Sequence, residues 1–156
     1  MPAVWSPEFH EAEAVAGLLV EFRDHMGRDW PSANAFVASV ERLMERGESQ
    51  FLLGAPHDDA PPAAVAQIRY RFGVWYAAED ASLEDLYVSE SARGAGLGRA
   101  MLDAVIEAAT ERGCRRIELD TGEDNEAALA LYGSAGFVSG EDEPGRRGLF
   151  LRKRLG

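Results

Sequence analysis

A single α/β domain is what the sequence predicts, and three observations point to it. Segments of helical and of alternating periodicity follow one another along the chain. A glycine-rich turn, Gly94 to Gly98, stands between a strand-like run and a helix-like one. Finally, 156 residues that are 46% hydrophobic can bury one sizeable core and give little reason to expect two.

The elements follow in order. Ser6 and Pro7 read as a cap and first helical residue before Phe9, Ala12, Ala16, Leu19 and Phe22, which recur at helical spacing until Gly27. Ser32 caps a second helix through Phe36, Val40, Leu43 and Met44, stopped by Gly47. QFLLGA is a short buried strand. After a proline-interrupted turn comes AAVAQIRYRF, in which Val65, Gln67 and Arg69 alternate with Ala66, Ile68 and Tyr70 as a strand does. SLEDLYV is another strand. Helix three is expected over 98–111, RRIELDT is a strand, and helix four is expected over 125–135 before Gly136. GFVSG and GLFLRKRL, flanking the turn EDEPGRRG, complete the pattern as a hairpin. No internal repeat or low-complexity segment is present.

Charge excludes several function classes. At a net charge of −11 the chain lacks the basic surface that nucleic acid or an anionic membrane requires, and a cationic substrate suits it better. No apolar run approaches the roughly 20 residues of a spanning helix. The lone Cys114 cannot form an internal disulfide, and MPAVWSPEFH lacks the basic and long apolar segments of a signal peptide, so the cytoplasm is the expected compartment.

The glycine turn has a physical purpose. A strand ending near Val88, a short loop and a helix start direct several unpaired N–H groups to one point, and the helix dipole reinforces them there. Glycine lets a phosphate approach the backbone, while Arg93 and Arg99 add charge. The ordinary alternative is a flexible loop before an ordinary helix. A Walker loop needs Gly-Lys-Ser/Thr where Leu97, Gly98 and Arg99 stand, and a dinucleotide fingerprint needs a glycine in place of Arg99.

With Arg93, Gly96 and Gly98 at the spacing Arg, two residues, Gly, one residue, Gly, the sequence resembles the GCN5-related N-acetyltransferases. LEDLYVSESARGAGLGRAML is similar to that family's central strand, pyrophosphate loop and helix. NEAALALYGSAGF is similar to its second motif, with Asn125, Tyr132, Gly136 and Phe137 in the matching places. The resemblance covers about residues 64–150. It implies a mixed, mostly antiparallel sheet with helices on both faces, whose central strands LEDLYV and RRIELDT splay apart.

The resemblance also implies site residues. Backbone groups of Leu86, Tyr87 and Val88 would pair with the pantetheine arm and acetyl carbonyl of acetyl-CoA, as a strand pairs at an open sheet edge. Arg93, Gly94, Ala95, Gly96, Leu97, Gly98 and Arg99 would hold its pyrophosphate, and Asn125 and Ala128 would hold its arm. A carboxylate must take a proton from the acceptor amine, and Glu84 is the candidate, since LEDLYV is nearest to the polyamine and thialysine branch of the family. For Glu84 or Asp85 a solvated or salt-bridged strand position is the alternative. Tyr132 lies about two helical turns after Asn125 and would donate a proton to the departing thiolate, unless it is a core tyrosine with a satisfied hydroxyl.

The remaining residues carry weaker signals. Cys114 reads as a buried thiol rather than a nucleophile, and His10, His25 and His57 lack the spacing of a metal site. Trp30 and Trp75 stand in loops near where the family admits its acceptor, and packing is the commoner reason for such residues. Arg112, Arg115 and Arg116 either help neutralise the nucleotide phosphates or end a solvated helix. The sequence therefore implies acetyl transfer to a small primary amine, polyamine-like or amino-acid-like, in a ternary complex without a metal. A protein N-terminus, a lysine or an aminoglycoside is the alternative acceptor. Two further readings are a silent acyl-CoA sensor and a nucleotide-binding module of another fold. A homodimer is common in the resembled family. Changing Tyr132 to Phe should lower turnover with little loss of cofactor binding, measured as kcat beside the melting-temperature rise given by acetyl-CoA.

Overall fold

The structure, a computed structural model, describes residues 1–156, the side chains of residues 141 and 142 apart. The chain divides into two compact units, Met1–Asp120 and Thr121–Gly156. The first unit holds strand β1 (Ala3–Trp5), a short 3-10 turn (Phe9–Glu11), helices α1 (Ala12–His25) and α2 (Ala33–Met44), and strands β2 (Ser49–Ala55), β3 (Ala64–Gly73) and β4 (Ala78–Val88). A second 3-10 turn (Glu90–Ala92), helix α3 (Leu97–Glu111) and strand β5 (Ile117–Glu118) complete it. The strands lie in the order β1-β2-β3-β4-β5, antiparallel except for the parallel β4–β5 pair. Among the described residues no helix is long and apolar enough to cross a membrane.

The two faces of the sheet are distinguished by the pleat. Phe51 and Leu53 of β2 join Val15, Leu19, Val40, Val65 and Tyr87 in the cluster under α1 and α2. Gly54, one residue on, must face the other way, and there it meets α3: a Cβ at Gly54 would come within 2.5 Å of Met101 Sδ and 3.1 Å of Leu97 Cδ1. Helices therefore cover both faces. Leu53, Leu97, Met101, Leu102 and Val105 are fully buried, and each such side chain contributes about 1.5–3 kcal/mol by leaving water.

Helix boundaries follow the local chemistry. Ser32 Oγ accepts the Ala35 N–H at 3.1 Å, capping α2 as the sequence predicts. The start of α1 differs. Ser6 does not cap it; Glu8 and Glu11 form a reciprocal capping box around the 3-10 turn, and the α-helix begins at Ala12. Strand β1 is an element that the sequence reading lacks, and β4 begins well before SLEDLYV.

The second unit holds α4 (Glu126–Ser134), capped by Asn125, whose Oδ1 accepts the Ala128 N–H at 3.3 Å. It also holds a hairpin of β6 (Glu141–Glu143) and β7 (Arg146–Arg147). This corrects the predicted hairpin, because the strands lie inside EDEPGRRG rather than on either side of it. Pro144 followed by Gly145 at φ 78 supplies a tight turn, and that chemistry outweighs the apolar runs around it. Leu149, Phe150 and Leu151 are exposed outside any strand.

Gly54 sets how closely α3 approaches the sheet. Gly54→Ala should lower the unfolding free energy by about 1–3 kcal/mol by overpacking against Met101, read as a lower urea midpoint at unchanged slope.

Candidate functional site

Pairing on the two sides of β4 shapes the site. β3 pairs with β4 along its whole length, whereas β5 reaches only Ala81 and Ser82. From Leu83 to Val88 the other side of β4 has no strand partner among the described residues. The splay expected between LEDLYV and RRIELDT is therefore present, and β5 is shorter than that segment.

One extra residue decides what this open side presents. Gln67 stands opposite Asp85 and Ile68 opposite Leu83, so Glu84 is bulged out of the β4 ladder. Before the bulge, Ala81 N–H turns toward β5 and donates to Arg116 O. Beyond it, Ser89 N–H bonds to Ala63 O, and the antiparallel alternation then commits Tyr87 to β3 while turning Leu86 and Val88 outward. The alternation thus separates the three residues expected to hold the cofactor arm. Leu86 and Val88 offer backbone groups to the open side, and Tyr87 does not.

The strand end is held in several ways. Arg93 Nε donates to Val88 O at 2.9 Å, and its guanidinium lies 5.7 Å from the Tyr87 ring centre. Tyr87 stacks on Phe22 of α1, with ring centres 4.9 Å apart. Ser89, itself buried, donates to Glu21 Oε2 at 3.0 Å. Arg93 therefore braces the strand, and the charge expected of it at the loop is tied to that bond.

Glycine geometry makes the loop an anion cradle. Gly94 and Gly96 have φ of 84° and 82°, and Gly96 sits at the N-cap of α3. Among the described residues, the N–H groups of Gly94, Ala95 and Gly96 have no hydrogen-bond partner, and those of Leu97 and Gly98 begin the helix. A Cβ at Gly94 or Gly96 would meet nothing within 4 Å, so space lies over the loop. These residues fit the diphosphate of acetyl-CoA. Arg99 Nε is bonded to Asp103 at 2.9 Å, one helical turn on.

A small cavity of about 120 Å³ opens beside the same strand. Its apolar wall includes Leu19, Phe22, Met26, Trp30 and Phe36, from α1, α2 and the segment joining them. Asp85 is its acid, with Arg23 and Arg28 as the other charged residues of its lining. Burial raises the Asp85 carboxyl above the ordinary carboxylate range, and the neighbouring charge of Glu84 raises it further. Glu84 is not part of this lining and lies 3.5 Å from Arg69.

In the second unit Tyr132 tilts against Phe137 at 5.8 Å, and burial raises its phenol so that the proton is held more firmly. Asn125 is used as the α4 cap, and Ala128 N–H is its partner.

Other residues resolve more simply. Arg112 pairs with Glu79, donates to Gly47 O at 2.6 Å and lies 3.8 Å over the Tyr70 ring, while Arg116 pairs with Asp80 and Glu118. Both are engaged in ties within the first unit. Trp75 is 94% exposed at the β3–β4 turn, away from the cavity that Trp30 lines. Burial raises the Cys114 thiol, the opposite of what a nucleophile needs. Among the described residues no cluster of His, Cys, Asp or Glu could hold a metal ion. Sequence reasoning missed the cavity role of Asp85 and Arg28, which only the fold of the α1–α2 segment brings together.

Comparison with known proteins agrees with this geometry. The profile of the Acetyltransferase (GNAT) family matches residues 15–137. A mycothiol acetyltransferase of Beutenbergia cavernae is 34% identical over 134 residues, covering 82% of this chain and 42% of that protein. A thialysine N-epsilon-acetyltransferase of Bos taurus is 31% identical over 86 residues, 54% of this chain and 51% of that protein. The chain thus spans about half the length of these curated relatives. A crystal structure of a putative acetyltransferase from Arthrobacter sp. FB24 superposes with a TM-score of 0.84 at 26% identity, over 99% of this chain and 96% of that one.

Because Gly96 has open space but a left-handed backbone, Gly96→Ala should cost about 1–2 kcal/mol through conformation alone. Titration with inorganic pyrophosphate, followed by melting temperature, should show weaker binding to this variant than to the parent.

Proposed function

Since the chain belongs to the GNAT acetyltransferase family, we propose that residues 1–156 act as an N-acetyltransferase domain that moves the acetyl group of acetyl-CoA to a small primary amine. The observation that carries this reading is the open side of β4 beside a glycine loop whose N–H groups lack internal partners.

The roles of the residues follow from chemistry. Acetyl-CoA supplies an activated thioester. Loop amides at Gly94, Ala95 and Gly96, aided by the positive end of α3, bind its diphosphate. Leu86 N–H donates to the acetyl oxygen where negative charge grows during attack. Holding amine and thioester together in one ternary complex removes most of the entropic barrier to their encounter.

We assign the base to Asp85 rather than Glu84. An alkylammonium at neutral pH must lose a proton before its nitrogen can attack, and a desolvated carboxylate with raised basicity is matched to that transfer. Glu84 is bulged and ion-paired with Arg69, which lowers its availability. The ammonium must shed two protons to become an amide: the first passes to Asp85 before attack, and the second leaves the nitrogen as the C–S bond breaks and restores Tyr132, which we assign as the group that gives its proton to the departing thiolate. Support for Tyr132 and Asn125 comes from the second motif, NEAALALYGSAGF.

Asp85→Asn should reduce kcat/KM roughly 100-fold or more and remove the acid limb of its pH profile. Unchanged turnover together with collapse on Glu84→Gln would return the role to Glu84. Stability provides a second reading. A carboxyl raised by burial destabilises the fold once it ionises, so the variant should melt above the parent at neutral pH, and the difference should shrink as pH falls through the Asp85 pKa.

A further inference from the structure

Resting on the acetyltransferase reading above, we propose that the acceptor amine carries a carboxylate, and that Arg28 receives it in the cavity where Asp85 receives the amine.

The two arginines of the cavity have different tasks. Arg23 is already engaged through all three nitrogens: Nη1 bonds to Pro31 O at 2.6 Å, and Nε and Nη2 bond to Asp24 Oδ1 at 3.0 and 2.7 Å, which uses three of its five N–H donors. Its side chain is only 16% exposed. Arg23 therefore fastens the end of α1 to the Trp30–Pro31 wall, and Asp24 balances its charge.

Arg28 differs on each point. It is exposed, its backbone N–H bonds to Arg23 O at 3.1 Å, and among the described residues its guanidinium has neither an ion pair nor a hydrogen bond. It nonetheless lines the cavity together with Asp85. A guanidinium presents a planar fork of donors that matches a carboxylate in two parallel bonds.

Charge balance then selects the ligand. Asp85 is the acid of the lining, so a diamine or polyamine would find one partner there and set its remaining cationic groups near an unneutralised Arg28. A zwitterion pairs both of its charges. The net charge of −11 attracts cations at long range, but that field is screened beyond about 8 Å in physiological salt, and the contacts of the lining decide at close range. Size points the same way. A cavity of about 120 Å³ lies well below the roughly 300–1,000 Å³ of pockets for drug-sized ligands, as suits an acceptor of amino-acid dimensions.

The test compares amino acids with their own carboxamides, which share the amine and side chain and lack only the negative charge. Simple diamines and short peptides form the rest of the panel, and free thiol release is measured with acetyl-CoA. The parent should favour the acid over its amide in kcat/KM by about tenfold or more. Arg28→Gln should bring that ratio near one, chiefly through KM, and Arg28→Glu should reverse it toward amides and diamines. Circular dichroism and melting temperature verify that both variants fold. Amides or diamines accepted as well as carboxylates by the parent, or a preference untouched by Arg28→Gln, would overturn the carboxylate assignment and leave the acetyltransferase reading standing. If no amine in the panel releases thiol, both fall together.

Discussion

The bulge at Glu84 is the constraint on which the rest of the site depends. A regular ladder would continue the alternation seen at Ala81 and would turn Asp85 and Tyr87 backbone groups to the open side of β4. One extra residue reverses that parity, so that Leu86 and Val88 face outward and Tyr87 is tied to β3. It also fixes which side chains meet α1: Tyr87 stacks on Phe22, and Asp85 enters the cavity one step along the same face. Which main-chain groups face the open side and which side chain enters the cavity are thus set by a single irregularity.

Two electrostatic environments meet at this strand. The loop to its C-terminal side concentrates N–H dipoles and a helix end, and favours an anion without a formal charge of its own. The cavity beside it does the reverse, desolvating a carboxylate until it holds a proton more tightly. Arg93 joins the two regions through its bond to Val88 O and its contact with Tyr87, so loop and strand end are braced as one element.

The parts of this arrangement readable in the sequence are those encoded locally. Helical spacing, the cap Ser32 and the stop at Gly27 locate the helices to within a few residues, apart from the capping box that delays α1, whereas the use of Asn125 as the α4 cap was not read from the sequence. The glycine loop was legible because backbone freedom there has a residue type. Strand β1 was not, since three residues carry too little periodicity, and the final hairpin was misplaced because Pro144–Gly145 turns inside what had looked like a longer loop. Alternation puts Glu84 and Asp85 on different faces but does not reveal a bulge, nor which face the 26–32 segment covers. Asp85 and Arg28 are 57 positions apart in the chain, and nothing in either neighbourhood announces the other.

The brevity of β1 has a consequence for how copies of the protein coexist. It pairs Ala3, Val4 and Trp5 with Ala55, Gly54 and Leu53, and two residues later Pro7 lacks the N–H that further pairing would need. The outermost rim of the sheet therefore offers a neighbouring chain only a few rungs before a proline and a helical turn interrupt them. Short margins of this kind discourage sheets from joining side to side into aggregates, a protection that matters for a molecule in which β4 is itself left without a strand partner, among the described residues, over much of one side.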